Sequence, residues 1–319
     1  MQTVLQNSLE PAGPQASGIE SLWWIAFWTA AVIYVLVIAA LAFAALHRSR
    51  KSSSVLPMDA PQERSATRWV AIATGATVVV LFAFLIIDLV TSRELGAMQR
   101  DQALHVRITG AQWWWRIEYQ DTSPSRSLQT ANELHIPVGR TVEIELGTDD
   151  VIHSFWVPTL GGKRDLIPGQ KNRVWIRADS AGVFRGQCAE FCGLQHAKMG
   201  LLVIAHEPPE FEAWYGAQLA PASMPGDSLR KRGHDVFVNQ SCTLCHQIRG
   251  TQASALVGPD LTHVGSRRML AAAAIPNTRG HLGGWITDPQ DIKPGTRMPP
   301  TKIGAQELQA LLAYLEGLK

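Results

Sequence analysis

The stretch from Leu22 to Leu46 carries no charged residue, and at about 1.5 Å per residue a helix of that length exceeds the ~30 Å of a bilayer's hydrocarbon. A second apolar stretch, Trp69 to Val90, is broken only by Asp88 near its end and is again long enough to cross. A chain that crosses twice returns to the side it started from, so these two runs constrain the whole architecture. The segment between them holds Arg48, Arg50, Lys51, Arg64 and Arg68 against Asp59 and Glu63, whereas residues 1–20 contain neither Lys nor Arg. The positive-inside tendency makes the loop 47–68 cytoplasmic. A tail (1–20) and everything after the hairpin (21–95) are then expected on the outer face of a bacterial inner membrane. A cleaved signal peptide, with Ala42-Phe43-Ala44 imitating a cleavage site, is the competing reading, but the segment before it is acidic and the apolar run too long. Asp88 reads either as a solvated interfacial carboxylate or as a proton-path residue.

Composition agrees with a part-membrane protein, since 46% of the 319 residues are hydrophobic. A net charge of +2, with charges spread through the chain, gives no reason to expect nucleic acid as a partner. Cysteine is more informative. The four cysteines fall in two close pairs, Cys188 with Cys192 and Cys242 with Cys245. A secreted disulfide scaffold would be shorter and richer in cysteine, and each pair has a histidine at ligand spacing. Structural disulfides remain the alternative.

Between residues 104 and 205, within a unit spanning 96–218, short runs of period two, LHVRIT, WWWRIEY, TVEIELG, NRVWIRA and GLLVIA, alternate with turn residues. They predict a small antiparallel sandwich or barrel. Its chemistry lies in Cys188-Ala-Glu-Phe-Cys192-Gly-Leu-Gln-His196-Ala-Lys-Met199, with His153 upstream in Asp150-Val-Ile-His-Ser-Phe-Trp. Two thiolates, two imidazoles and a thioether converge if the cysteine loop folds over the His153 loop. Soft sulfur with imidazole and a weak axial Met selects copper; zinc on Cys2His2 is the alternative and would not need the Met.

Together with the Asp165-Leu-Ile-Pro-Gly turn, these motifs resemble subunit II of cytochrome c oxidase, over residues ~20–215. The resemblance implies a transmembrane hairpin followed by an all-β, Greek-key cupredoxin domain with a binuclear copper centre. In it Cys188 and Cys192 bridge two coppers, His153 and His196 each bind one, and Met199 with the Glu190 carbonyl completes the set. It further implies a magnesium ion through the Glu190 side chain, facing the catalytic subunit. Gln112-Trp-Trp-Trp115 resembles the family's aromatic cluster and assigns electron transfer to Trp113, although Trp114 departs from the common pattern; core packing is the competing reading.

A Pro, Ala and Gly-rich stretch, 219–226, reads as a linker to a last unit, 227–319. This unit contains Cys242-Thr-Leu-Cys245-His246, the C-x-x-C-H signature of covalent haem attachment, in which the histidine ligates iron. A redox dithiol is the alternative, weakened by the adjacent His and the lack of a βαβ pattern. Lys293-Pro-Gly-Thr-Arg-Met-Pro-Pro300 looks like the distal Met loop of class I cytochromes c, as do Gly258-Pro-Asp-Leu261 and Trp285-Ile-Thr-Asp-Pro289. The resemblance implies an all-α fold with Met298 as the second axial ligand, a pairing that raises the haem potential. Met269, in a run RRMLAAAA that reads as a helix, His263 and His281 are the rival ligands. Leucines and alanines in 306–315 recur at helical spacing.

Taken as a multidomain membrane protein, the chain resembles the haem-bearing subunit II of caa3-type oxidases. Reducing oxygen at a haem-copper centre would need several membrane histidines. Of ten in the chain only His47 touches a span, so that centre is expected in subunit I. The resemblance implies as partners subunit I, subunit III, the lipid membrane and an external cytochrome c or other periplasmic donor, with oxygen reduced to water and protons pumped. A copper-containing nitric oxide reductase is the nearest rival, and a soluble copper chaperone or shuttle a more distant one. Quinol oxidase subunits of this fold lack the copper ligands. Equal numbers of basic and acidic residues in 96–207 leave the copper domain without a net field for a charged donor, so the short linker alone is expected to bring the haem to the copper.

Overall fold

In the computed structural model, residues 4–47, 60–96, 103–121 and 123–319 are described. Most of the charged loop between the spans therefore lies outside them. The described residues divide into two compact units, the hairpin and everything else, with the N-terminal residues up to Ala16 belonging to the latter.

A short strand, β1 (Val4–Leu5), opens the chain, and two long helices follow, α1 (Pro14–Leu46) and α2 (Ala60–Gly96). Their large apolar side chains, such as Trp28, Tyr34, Leu36, Val79 and Phe82, are more than half exposed all around the helix. A helix apolar on every face has no stable place in water, and both are long and apolar enough to cross a membrane. Gly18 gives α1 a close seat against Thr91 and Leu95 of α2.

The sandwich uses β2 (Leu104–Ala111), β3 (Trp114–Gln120), β4 (Leu128–Ala131), β5 (Glu133–Pro137), β6 (Val142–Thr148), β7 (His153–Trp156), β8 (Arg164–Leu166), β9 (Asn172–Ile176), β10 (Gly182–Cys188) and β11 (Gly200–His206). One sheet runs β4-β3-β2-β6-β9 and the other β5-β11-β10-β7-β8, with β1 alongside β10. Three pairings, β1 with β10, β2 with β6 and β5 with β11, are parallel, so strands distant in sequence become neighbours. The alternation in β2, β3 and β6 puts Val106, Ile108, Trp115, Ile117, Tyr119, Val142, Ile144 and Leu146 into one core between the sheets. Pairing of β1 with Val183 and Phe184, and the Ala12 amide bonded to the Thr159 carbonyl, tie the segment preceding α1 to the sandwich. The chain before the first span thus lies on the same side as the domain after the second, as two crossings require.

After α3 (Pro208–Leu219) an extended stretch leads to α4 (Ser228–Asn239), whose N-cap Asp227 accepts from the Arg230 amide. A two-strand ribbon, β12 (Met269–Leu270) with β13 (Ile275–Pro276), precedes α5 (Arg279–Thr287), α6 (Pro289–Ile292) and α7 (Ala305–Gly317). Helices α4 and α7 cross at Gly233, where a Cβ would stand 2.0 Å from the Ala310 carbonyl oxygen. Phe237, Leu311, Tyr314 and Leu315 form the core around that crossing. The helix expected in RRMLAAAA does not form. Met269 and Leu270 are extended, and Ala271, Ala272 and Ala273 turn through the left-handed region at φ 53°, 59° and 55°.

Candidate functional site

The β10 strand ends at Cys188, and the chain then loops through Cys192 and the turn His196–Lys198 before re-entering the sheet as β11. The loop folds over β7, which carries His153 with no exposure. Four side chains cluster there: Cys188 Sγ lies 3.9 Å from His153 Nδ1 and 3.7 Å from Cys192 Sγ, which lies 3.6 Å from His196 Nδ1, and the ligand atoms of His153, Cys188 and Cys192 all lie within 4.8 Å of one another. The Glu190 carbonyl sits 3.2 Å from Cys188 Sγ and Met199 Sδ 3.8 Å from Cys192 Sγ. All four cysteines are free thiols, which removes the disulfide alternative. Sulfur and nitrogen ligands of one metal at tetrahedral angles stand about 3.5 Å apart, so the separations fit metal between them. The weak donors flank the thiols, the carbonyl beside Cys188 and the thioether beside Cys192.

The surroundings aim these ligands. His153 Nε2 meets Asp150 Oδ1 at 2.8 Å, leaving Nδ1 for the thiol side, and Trp115 packs edge-on to the ring at 6.2 Å. Burial pushes Asp150 up, but hydrogen bonds from His153 and from the Gln112 and Val151 amides outweigh it and hold the carboxyl below its ordinary range. The Cys192 thiol pulls Cys188 down to about 3 against burial, while the same contact pushes Cys192 up. The first proton is therefore lost more readily from Cys188 than from an isolated thiol, and a metal bound here would displace the second. The Asp150 partnership was not assigned from sequence, although its three-residue spacing from His153 was its signal. Glu190's carboxylate is exposed, with the Phe191 amide donating to it.

Trp113 is only 8% exposed, so it is packed as the competing reading required, yet it is also wired to the cluster. Its Nε1 donates to the Cys192 carbonyl at 2.9 Å, as does Gln112 Nε2. Trp114 is the partly exposed member, beneath the Arg116 guanidinium.

In the helical part, the turn Ser241–Leu244 brings the His246 amide to the Cys242 carbonyl at 2.9 Å. His246 Nδ1 donates to the Pro259 carbonyl at 2.8 Å, which leaves Nε2 as the free donor atom. Burial lowers its pKa and so favours the neutral ligand form. A Cβ on Gly258 would come within 2.8 Å of the imidazole, so the ring lies in a cradle only glycine permits. Free thiols at 242 and 245 with this histidine fit covalently attached haem. Met298 is half-buried, its carbonyl bonded to Gln290 Nε2; no hydrogen bond joins its side chain to His246. The rivals are engaged elsewhere. Met269 packs with Val183, Leu202 and Ile204 of the sandwich, His263 Nε2 bonds the Ala220 carbonyl, and exposed His281 caps α5 with Thr278.

The linker is not the only connection between the two halves. Gln195 Nε2 donates to the Pro294 carbonyl at 2.8 Å, Lys198 to that of Ile292, and Lys293 Nζ to that of Trp113 at 2.6 Å. Asp150 faces Arg297 at 3.6 Å. On a second patch Glu133 Oε1 accepts from the Arg268 and Met269 amides, and the carbonyls of Ala272 and Ala273 accept from the Gly200 amide and Arg185. The sequence carries no sign of this interface, because every hydrogen bond across it has a backbone atom on at least one side.

Two family models match the chain, the periplasmic domain of cytochrome c oxidase subunit II over residues 121–206 and cytochrome c over residues 230–319. Cytochrome c oxidase subunit 2 of Alkalihalophilus pseudofirmus is 34% identical across 98% of this chain and 91% of its own length. That of Bacillus subtilis is 33% identical across 76% of this chain and 69% of its own. Because the first match runs through hairpin, sandwich and helical part alike, the whole chain, and not one module of it, belongs to the cytochrome c oxidase subunit II family, in the form that carries a fused cytochrome c domain.

Proposed function

We propose that this subunit accepts electrons from an external c-type donor at its own haem domain and hands them across Trp113 and the cysteine loop to subunit I, in a bacterial inner membrane. When bound, a haem at Cys242, Cys245, His246 and Met298, and a copper pair at His153, Cys188, Cys192, His196, Met199 and the Glu190 carbonyl, supply reversible one-electron chemistry. The observation that carries this reading is the size of the donor cluster: two thiols, two imidazoles, a thioether and a backbone carbonyl gather at one loop, more than the four ligands one tetrahedral metal takes. A single tetrahedral zinc would leave the Met199 thioether and the Glu190 carbonyl without a role. Asp150 orients one imidazole, and Trp113 links the haem-side loop to the Cys192 carbonyl by two hydrogen bonds, accepting from Lys293 and donating by its indole. The exposed Glu190 carboxylate is suited to help hold magnesium against subunit I, and subunit III completes the assembly we propose.

Metal analysis and electron paramagnetic resonance of the purified oxidase test this directly. Two coppers in this subunit sharing one electron, and one covalent haem c, are expected. A single copper with a mononuclear spectrum would overturn the assignment. For the second axial ligand, Met298→Ala is expected to retain covalent haem, since Cys242, Cys245 and His246 are untouched, while its reduction potential falls. An unchanged potential and ligand spectrum would move the ligand to one of the other three candidates.

A further inference from the structure

Lys293 is a buried group that nothing in the proposed chemistry uses. It is 2% exposed, yet no described carboxylate pairs with it. Its Nζ donates to two carbonyls, Trp113 in the sandwich at 2.6 Å and Ala271 in the helical half at 3.2 Å. Burial pushes it down to about 7. Removing an ammonium from water with only carbonyls as hydrogen-bond partners is costly, and the other participants are costly too. Ala271 opens the left-handed turn, a conformation that disfavours every residue with a Cβ. Strain of this kind persists where surrounding contacts over-determine it. Here they do: the next two carbonyls of the turn accept from Gly200 and Arg185 across the interface. Two residues after Lys293, Gly295 lies where even a Cβ would touch the Trp113 ring at 3.6 Å.

We infer that Lys293 is a positioning residue for internal electron transfer, locking the haem-bearing half onto the copper-bearing half through the Trp113 carbonyl. The inference rests on the proposed function, and it replaces a freely tethered haem with a docked one. Trp113 is then held from both directions, its carbonyl by Lys293 and its indole by the Cys192 carbonyl, so the relay keeps one geometry from turnover to turnover.

The test uses the complete oxidase. In the wild type, flash-initiated electron transfer from haem c to the copper pair is expected to be insensitive to added viscogen, because no domain diffuses before the step. A rate falling in proportion to viscosity would overturn the lock without any variant being made. Lys293→Met is expected to slow that step roughly tenfold or more, as the docked fraction falls, and to make it viscosity-dependent. Hydrogen exchange in the peptide 198–202, which contains the interface amide of Gly200, should accelerate; this readout needs no electron flow. Copper resonance spectrum and both reduction potentials should match the wild type. An unchanged internal rate and exchange, or an altered copper spectrum with docking intact, would each reject the positioning role. Absence of haem or copper from the wild-type complex would instead refute the proposed function.

Discussion

Replacing His246 by Ala is expected to lower oxidase activity with the natural donor by roughly 10²-fold, the scale of advantage that tethering a carrier gives over free encounter. The copper resonance spectrum should stay intact, because His246 belongs to the helical half and contacts none of the copper ligands. The argument for so large an effect is steric as much as chemical. Trp113, whose indole is bonded to the cysteine loop, is 8% exposed, beneath the loop of Lys293 and Gly295. An external donor cannot reach it while the helical half is docked. Activity in this variant should therefore not recover at higher donor concentration. Steady-state oxygen consumption against donor concentration, with haem content checked by its covalent spectrum, is the measurement. Near wild-type turnover in the haem-free protein would mean that donors bypass the fused domain.

How much of this was legible beforehand depends on whether the information is local. The strands read correctly, LHVRIT, WWWRIEY and TVEIELG among them, are those whose alternate residues enter a single core. Strand β7 was not read, because His153, Ser154 and Phe155 are all buried and give no alternation. Strand β10 carries Gly182, Gly186 and Arg185 and so lacks the expected composition. In RRMLAAAA the alanines favour helix by propensity, but three successive carbonyls are claimed by Lys293, Gly200 and Arg185, and tertiary contacts override the preference.

The same distinction applies to the sites. Ligands within Cys188–Met199 and Cys242–His246 lie close in sequence and their spacing states their chemistry. Lys293 and Trp113 are 180 residues apart, Gln195 and Pro294 99 apart, and one partner in each pair is a carbonyl, which every residue possesses. Nothing in side-chain type announces such a contact. The expectation that a linker alone would bring haem to copper came from an absence of net charge, and that absence says nothing of directional hydrogen bonds between buried groups.

The second large effect is expected at Asp150. Its carboxylate, 12% exposed, accepts from His153 Nε2, from two backbone amides at 2.8 Å each, and faces Arg297. With Asp150→Ala the His153 ring loses the partner that fixes its tautomer and aims Nδ1 at Cys188, and loss of such an outer partner typically weakens metal binding by roughly 10–100-fold. Asp150→Asn retains an acceptor oxygen for the imidazole N–H and should lose much less. Because Asp150 also touches the haem-side loop, Arg297→Gln serves as the control: it removes that ion pair alone and should leave copper affinity unchanged. Competition for copper(I) between the oxidase and a chelator of known affinity distinguishes the three variants. Wild-type affinity in Asp150→Ala would show that Trp115 packing and strand β7 hold His153 without help. A loss in Arg297→Gln equal to that in Asp150→Ala would trace the effect to the docked haem domain and not to the imidazole.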